Sequence, residues 1–317
     1  MKTAKGLELK TSTAYFRDKF VPFATANLSI ASAPVLYGLS VYTVINANYN
    51  PQNDQLYIFR LRDHYDRLVN SAKIVDFGGF TEAWSYKKFE KTVCALLERN
   101  AAKQDVLIRA TLFIDELLSG TKMHGLPTSL SIFVYPMASL YKSDGINVCI
   151  SSWQRTPDNA IPSRAKVNGS YINSSLMKNE ALLNGYDDAI ALDEHGHVSE
   201  GTVANLFIVK SGKLITPHSA TDILEGITRD TVQKLAVRLG VDHEERAVDR
   251  SELYTADEAF LCGSSARIIP VFSVDKRPIG NSKTGIVTQK LIREYAKVQR
   301  GQTGNFSEWR YELYPKK

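Results

Sequence analysis

Four short segments of the 317-residue chain carry residue types that can do chemistry. In Ile161 to Tyr171, one lysine, Lys166, sits among small residues in a Gly- and Asn-containing bend that leads into a helix. A lysine amine becomes a nucleophile when desolvation or a nearby cation lowers its pKa. Most lysines are solvated surface charges, and this segment taken alone allows either reading. In Val198 to Phe207, Glu200 interrupts a strand-like stretch. Such a carboxylate can hold a ring nitrogen protonated, or it can simply flank a turn at a sheet edge. In Leu224 to Asp230, Gly226 and Thr228 open an amphipathic helix. Exposed amides and the helix dipole make that end an anion site, although a plain threonine N-cap accounts for the same residues. In Gly263-Ser264-Ser265-Ala266, small residues would let amides and hydroxyls approach an oxyanion, or they form an ordinary loop.

These segments need elements to position them. Val35 to Ala47 and Leu56 to Leu61 read as strands, and Asp63 is a candidate cap for a helix that carries Tyr65, Leu68 and Val69 on its inner face. Phe89 to Arg99 has helical apolar spacing, and Val106 to Ile114 and Leu130 to Val134 read as strands. Together these predict a smaller N-terminal α/β domain over 1–136. A turn-forming link over 137–146 follows. The rest, 147–317, predicts a larger domain. It would hold a strand at Ile146 to Trp153, an irregular stretch from Gln154 to Gly169, and a helix from Tyr171 to Asn184 closed near Gly185. Strands at Ala189 to Asp193, Val198 to Val209 and Lys213 to Pro217 would form an antiparallel meander. A helix from Thr228 to Leu239 and a strand from Ala259 to Cys262 come next. The tail from Arg300 onward has no legible pattern. The fold class is α+β to α/β in two domains.

Composition limits the function classes. Hydrophobic residues make up 44% of the chain and charged residues 23%, so a sizeable core is expected rather than disorder. The net charge of +5 is spread among interleaved acids and bases, which argues against a nucleic-acid partner and fits anionic small molecules. Cys94, Cys149 and Cys262 are odd in number and lack metal-ligand spacing; they read as reduced thiols, and no metal is expected. His195 and His197 flank Gly196 between apolar runs, which favours a hairpin turn. The polar N-terminus has no signal-peptide pattern and no apolar run suits a membrane span, so a soluble, cytoplasmic protein is expected.

Taken in order, the segments resemble the fold-type IV (class IV) pyridoxal-phosphate enzymes, and most of all the branched-chain amino acid aminotransferases. The resemblance runs from about Ser32 to Ile279 and is densest from Ser151 to Val271. It rests on Ser151-Ser152-Trp153, Ala165-Lys166 with Tyr171 five later, Ser199-Glu200-Gly201 with Asn205-Leu206-Phe207, and Gly226-Ile227-Thr228-Arg229-Asp230. It implies a homodimeric transferase whose pyridoxal 5′-phosphate lies in the cleft between the two domains. Lys166 would form the Schiff base (internal aldimine) and shuttle the proton between substrate Cα and cofactor C4′. Glu200 would pair with the pyridinium nitrogen, and Tyr171 would bond the phenolic oxygen. Arg67, Ile227, Thr228 and Ser264 would bind the phosphate, with Leu224 against the ring. Ser264 and Ser265 would receive the substrate carboxylate. Arg109, Tyr37 and Tyr42 would belong to the substrate side. The implied reaction is ping-pong transfer from an apolar, branched-chain L-amino acid to 2-oxoglutarate.

The chain departs from the family pattern at Thr43-Val44 (usually acidic residue then glycine), at Val203-Ala204 (usually glycine-glutamate) and at Leu107 (usually tyrosine). All three departures are expected on the substrate side. They keep open a D-amino acid or R-amine transaminase, and an aminodeoxychorismate-lyase-like enzyme.

Overall fold

A computed structural model describes residues 8, 9, 12–138, 141 and 144–314, and they divide into two compact units. The first unit contains the described residues up to Ala138 together with 165–169 and 297–314. Its sheet has the strands β1 (Thr13–Phe16), β2 (Lys19–Pro22), β3 (Ser40–Asn50), β4 (Gln55–Phe59), β5 (Val106–Ile114), β6 (Thr128–Pro136) and β16 (Arg310–Glu312). Their order is β16-β4-β3-β5-β6-β1-β2, and neighbouring strands are antiparallel. The helices are α1 (Ala33–Tyr37), α2 (Leu61–Ile74), α3 (Phe80–Ala83) and α4 (Tyr86–Arg99). Alternate residues of β3 and β5, Ile45 and Ile108 among them, pack with Leu68, Phe89, Val93 and Leu96 of α2 and α4. Period 2 on the sheet and period 3.6 on the helices meet in one core.

The second unit holds β7 (Ile146–Ile150), β8 (Asp188–Leu192), β9 (Val198–Gly201), β10 (Asn205–Lys210), β11 (Lys213–Pro217), β12 (His243–Arg246), β13 (Glu258–Gly263), β14 (Arg267–Val274) and β15 (Arg277–Pro278). Its path is β12-β11-β10-β13-β14-β7-β8-β9, with β15 on β14. Pairings of β11 with β12, β14 with β7, and β7 with β8 are parallel, so this sheet is mixed. The helices are α5 (Tyr171–Leu183), α6 (Ile227–Arg238), α7 (Arg250–Leu253) and the start of α8 (Ile286–Gln299). Among the described residues, no helix is long and apolar enough to cross a membrane.

Several expected elements differ. Val35 to Tyr37 is not strand: Pro34 opens the short helix α1 and Gly38, at φ +70°, ends it. Asp63 does not cap α2; Arg60 occupies that position, and Asp63 sits in the first turn, where it ion-pairs with Arg60 at 2.7 Å. The run Val198 to Val209 breaks at 202–204, where Gly201 N–H donates to Ala204 O. The expected meander is therefore two separate hairpins, with β9 at a sheet edge and β10 inside. The His195-Gly196-His197 stretch does join two antiparallel strands, with Gly196 at φ +84°. Two segments beyond the expected boundary pack with the first unit: Val167 bridges Val41, and β16 pairs with β4. Of the expected link over 137–146, residues 139, 140, 142 and 143 lie outside the described residues.

Candidate active site

In the first unit, the chemistry is organised around the free edge of β3. Residues 40–47 of β3 pair with β5 on one side, whereas β4 reaches only Ala47–Asn50 on the other. The lysine segment fills the vacant stretch. Tyr42 N–H donates to Lys166 O at 3.0 Å, Asn168 N–H donates to Ser40 O at 2.9 Å, and Val167 opposes Val41. Ser71 Oγ of α2 accepts from Lys166 N–H at 3.1 Å. Gly38 makes the approach possible: a Cβ there would lie 2.8 Å from Gly169 Cα, and φ is +70°. Val167 packs against the core, so alternation turns Lys166 and Asn168 to the opposite face.

That face collects the candidate substrate residues. Lys166 Nζ lies 5.1 Å from the Tyr42 ring centroid, and the Arg109 guanidinium lies 3.7 Å from the same ring. Arg109 is directly opposite Val44 in the β3–β5 register, so the departure at Val44 does face the arginine. Leu107, two residues before Arg109, is on this face as well and is buried. Tyr37, at the end of α1, is 43% exposed.

Thr43 faces the other way, contrary to its expected place on the substrate side. It is fully buried, and its Oγ1 lies 2.8 Å from His64 Nδ1 and accepts from Arg67 Nη2 at 3.3 Å. His64 is buried as well. Desolvation first, then the charges of Arg67, Arg60 and Lys166, push its imidazole well below the ordinary 6.5. A neutral His64 therefore backs the candidate anion-binding arginine.

In the second unit, the central group is Glu200 of β9, 5% exposed. Its Oε1 pairs with the Arg155 guanidinium at 2.7 Å. Its Oε2 accepts from Asn205 Nδ2 at 2.9 Å and from Leu224 N–H at 3.3 Å. Asn205 Nδ2 also donates to Leu224 O at 2.8 Å, tying the 224–226 loop to β10. A Cβ at Gly226 would meet Asn205 Oδ1 at 2.0 Å, so a side chain there would displace the amide that holds Glu200 and Leu224. The glycine leads straight into α6, where Ile227 and Thr228 are buried in the first turn. The opening amides of a helix lie outside its own ladder, and this helix is long enough to present a useful dipole. Ser264 and Ser265 form the half-buried turn between β13 and β14. Tyr171, the first residue of α5, lines a cavity of about 380 Å³ with Tyr141, Lys178, Thr202 and Val203. Val203 is 46% exposed and Ala204 is buried.

The first unit thus carries Lys166, Arg67, Arg109, Tyr37 and Tyr42, and the second carries Glu200, Tyr171, Leu224, Ile227, Thr228, Ser264 and Ser265. No pattern in the sequence points to Arg155 or to the contacts of Asn168 and Asn205. Arg155 and Asn168 lie in an irregular stretch without periodicity; Asn205, next to an unexpected strand break, offered the only signal.

Comparison with known proteins adds a family to this geometry. Residues 40–274 match the family model described as amino-transferase class IV. The chain is 40% identical over 306 residues to the probable branched-chain-amino-acid aminotransferase of Aquifex aeolicus, covering 96% of this chain and 97% of that one. The branched-chain aminotransferase of Thermoproteus uzoniensis, solved with norvaline, superposes with a TM-score of 0.91 at 35% identity, over 96% of this chain and 99% of that one. The T.th. branched-chain amino acid aminotransferase, complexed with N-(5′-phosphopyridoxyl)-L-glutamate, superposes with a TM-score of 0.89 at 31% identity, over 97% and 100%.

Proposed function

Because the chain belongs to the class IV aminotransferases, we propose that it uses pyridoxal 5′-phosphate to transfer the amino group of an apolar, branched-chain L-amino acid to 2-oxoglutarate, in two alternating halves. The observation that carries the reading is Lys166, fastened to the edge of β3 by backbone bonds on the face it shares with Tyr42 and Arg109. The relatives' names and the norvaline and glutamate ligands of the solved neighbours support the substrate pair.

The residues suit this cofactor. A buried carboxylate held by Arg155, Asn205 and the Leu224 amide is a fixed acceptor for a ring N–H. Pyridoxal phosphate, when bound, supplies a protonated ring that takes up the electron pair left as the substrate Cα–H bond breaks. Glu200 would keep that ring nitrogen protonated, and Leu224 would pack on the ring. Tyr171 would bond the phenolic oxygen. Arg67 offers a guanidinium fork to the phosphate, together with the start of α6 at Ile227 and Thr228 and the Ser264 turn. Lys166 would hold the cofactor through Nζ until the substrate amine takes over that bond; the Nζ amine so freed would accept the proton from substrate Cα and donate it to the neighbouring carbon. Ser264 and Ser265 receive the α-carboxylate. Arg109 then remains for a second carboxylate, and Tyr37 and Tyr42 border the apolar side chain. We also propose a homodimer, supported by the large apolar residues left exposed at Ile30, Val35, Leu117 and Leu118.

The test is the visible spectrum of the purified, cofactor-loaded protein. L-leucine should remove the cofactor band, and 2-oxoglutarate added afterwards should restore it. A band removed by D-alanine and untouched by L-leucine would transfer the assignment to the D-amino acid transaminases. Borohydride reduction followed by peptide mass mapping should place the cofactor on Lys166; a label on any other lysine refutes that role.

A further inference from the structure

We propose that Asn168 is a positioning residue that sets the aim of Arg109, and with it the ability of the enzyme to take a dicarboxylic as well as a monocarboxylic oxo acid. The inference rests on the reading of Arg109 given above. Asn168 is fixed before it touches the arginine. Its backbone N–H donates to Ser40 O at 2.9 Å, and its Nδ2 donates to Ser40 Oγ at 2.7 Å. Its Oδ1 then accepts from Arg109 Nη2 at 2.6 Å. The amide orientation is dictated by chemistry, since a guanidinium has donors and no acceptor. The Tyr42 ring, 3.7 Å from the guanidinium carbon, supplies a second constraint. A long, rotatable side chain is thereby held in one pose beside Lys166.

A neutral amide does this without cancelling the positive charge. Of the five guanidinium donors, the Asn168 contact uses one, so the fork keeps an edge suited to a bidentate carboxylate. A carboxylate at residue 168 would occupy the same place and neutralise it. An apolar substrate side chain needs neither the charge nor the fork and can lie along the Tyr42 ring. Asn168 therefore separates the two kinds of substrate: it matters to the dicarboxylic partner and hardly to the apolar one.

The experiment uses the cofactor-loaded enzyme and two unreactive ligands, glutarate and 4-methylvalerate, measured by calorimetry beside steady-state kinetics. Asn168 is outside the left-handed backbone region, so alanine or aspartate imposes no backbone strain. Asn168→Asp should weaken glutarate binding and raise the KM for 2-oxoglutarate by about tenfold or more, the scale of one charge-assisted contact. Asn168→Ala should do so by roughly three- to tenfold. The 4-methylvalerate affinity and the KM for L-leucine should move by less than about twofold, whereas a merely structural defect would move all four constants together. Arg109→Lys, run in parallel, separates the two levels. Glutarate binding that depends on Arg109 and ignores Asn168 overturns this inference and leaves the function standing. A wild-type enzyme that never takes 2-oxoglutarate overturns both.

Discussion

Burying a carboxylate is costly unless its charge is met, and Glu200 is met on both oxygens. Arg155 supplies the opposite charge, at 2.7 Å. Arg155→Met should leave an uncompensated buried charge and cost about 3–5 kcal/mol in urea unfolding, since breaking one side of a buried pair leaves the other stranded. Arg155→Lys should recover part of that loss, and a Met variant as stable as the parent would refute the pairing. Glu200→Gln keeps the shape and the Asn205 and Leu224 contacts within reach. It should bind cofactor yet slow amino transfer by about a hundredfold or more, read as kcat in the leucine half-reaction; an unchanged kcat removes the role. His64 gives a pH signature. In the unfolded chain it titrates near 6.5, and in the fold well below. Between those values the unfolded chain holds a proton that the folded chain lacks. Stability is thus unaffected by this group above about pH 6.5. It falls as pH drops through the window, by up to about 1.4 kcal/mol per pH unit. His64→Gln should flatten that limb in denaturation at pH 7, 6 and 5, and a parallel curve would contradict the assignment.

Elements place these residues, and the glycines show how tightly. At Gly38 an alanine meets both a left-handed φ and Gly169 Cα at 2.8 Å. Gly79 has a similar φ of +75° with nothing within 4 Å. Gly79→Ala should therefore cost only about 1 kcal/mol. Gly38→Ala should cost distinctly more and loosen the lysine segment, which makes Lys166 readier to react with a small acylating reagent; equal costs would refute the close approach. Legibility in the sequence follows the same physics. α4, β5 and α6 were visible because each carries its own period over many residues. α1 has the sequence of a strand because Val35 to Tyr37 is β-prone and five residues are too few to show a helical period. The break after Gly201 is set by Gly201 N–H bonding Ala204 O, a turn that apolar content hides. β16 exists through its pairing with β4, some 250 positions earlier, and no local pattern encodes that.

At the scale of the whole chain, the candidate site is legible through the order of its motifs, because lysine, acid and helix start each allow a plain structural reading alone. The contacts that aim them are not. Asn168 reaches Arg109 across 59 positions and Glu200 meets Arg155 across 45, and no spacing rule connects such pairs. The surface makes a further demand. Ser32 and Leu117 form a backbone bridge that brings α1 next to the 117–118 turn, and Leu118 there is 77% exposed. Val35, Leu36 and Tyr37 of α1 are exposed as well. Apolar residues exposed in this way fit the homodimer proposed above. Tyr37 is also proposed above for the substrate pocket, where a half-exposed ring would leave the pocket wet. A second copy of the chain covering these residues would dry Tyr37 and complete the pocket. Sedimentation should then give about twice the 35.4 kDa of one chain. Leu118→Asp should shift the population toward the single chain and raise the KM for L-leucine in proportion to the dissociated fraction, with the loss reversed at higher protein concentration. A wild-type enzyme that sediments as one chain while fully active would show that these residues serve another purpose.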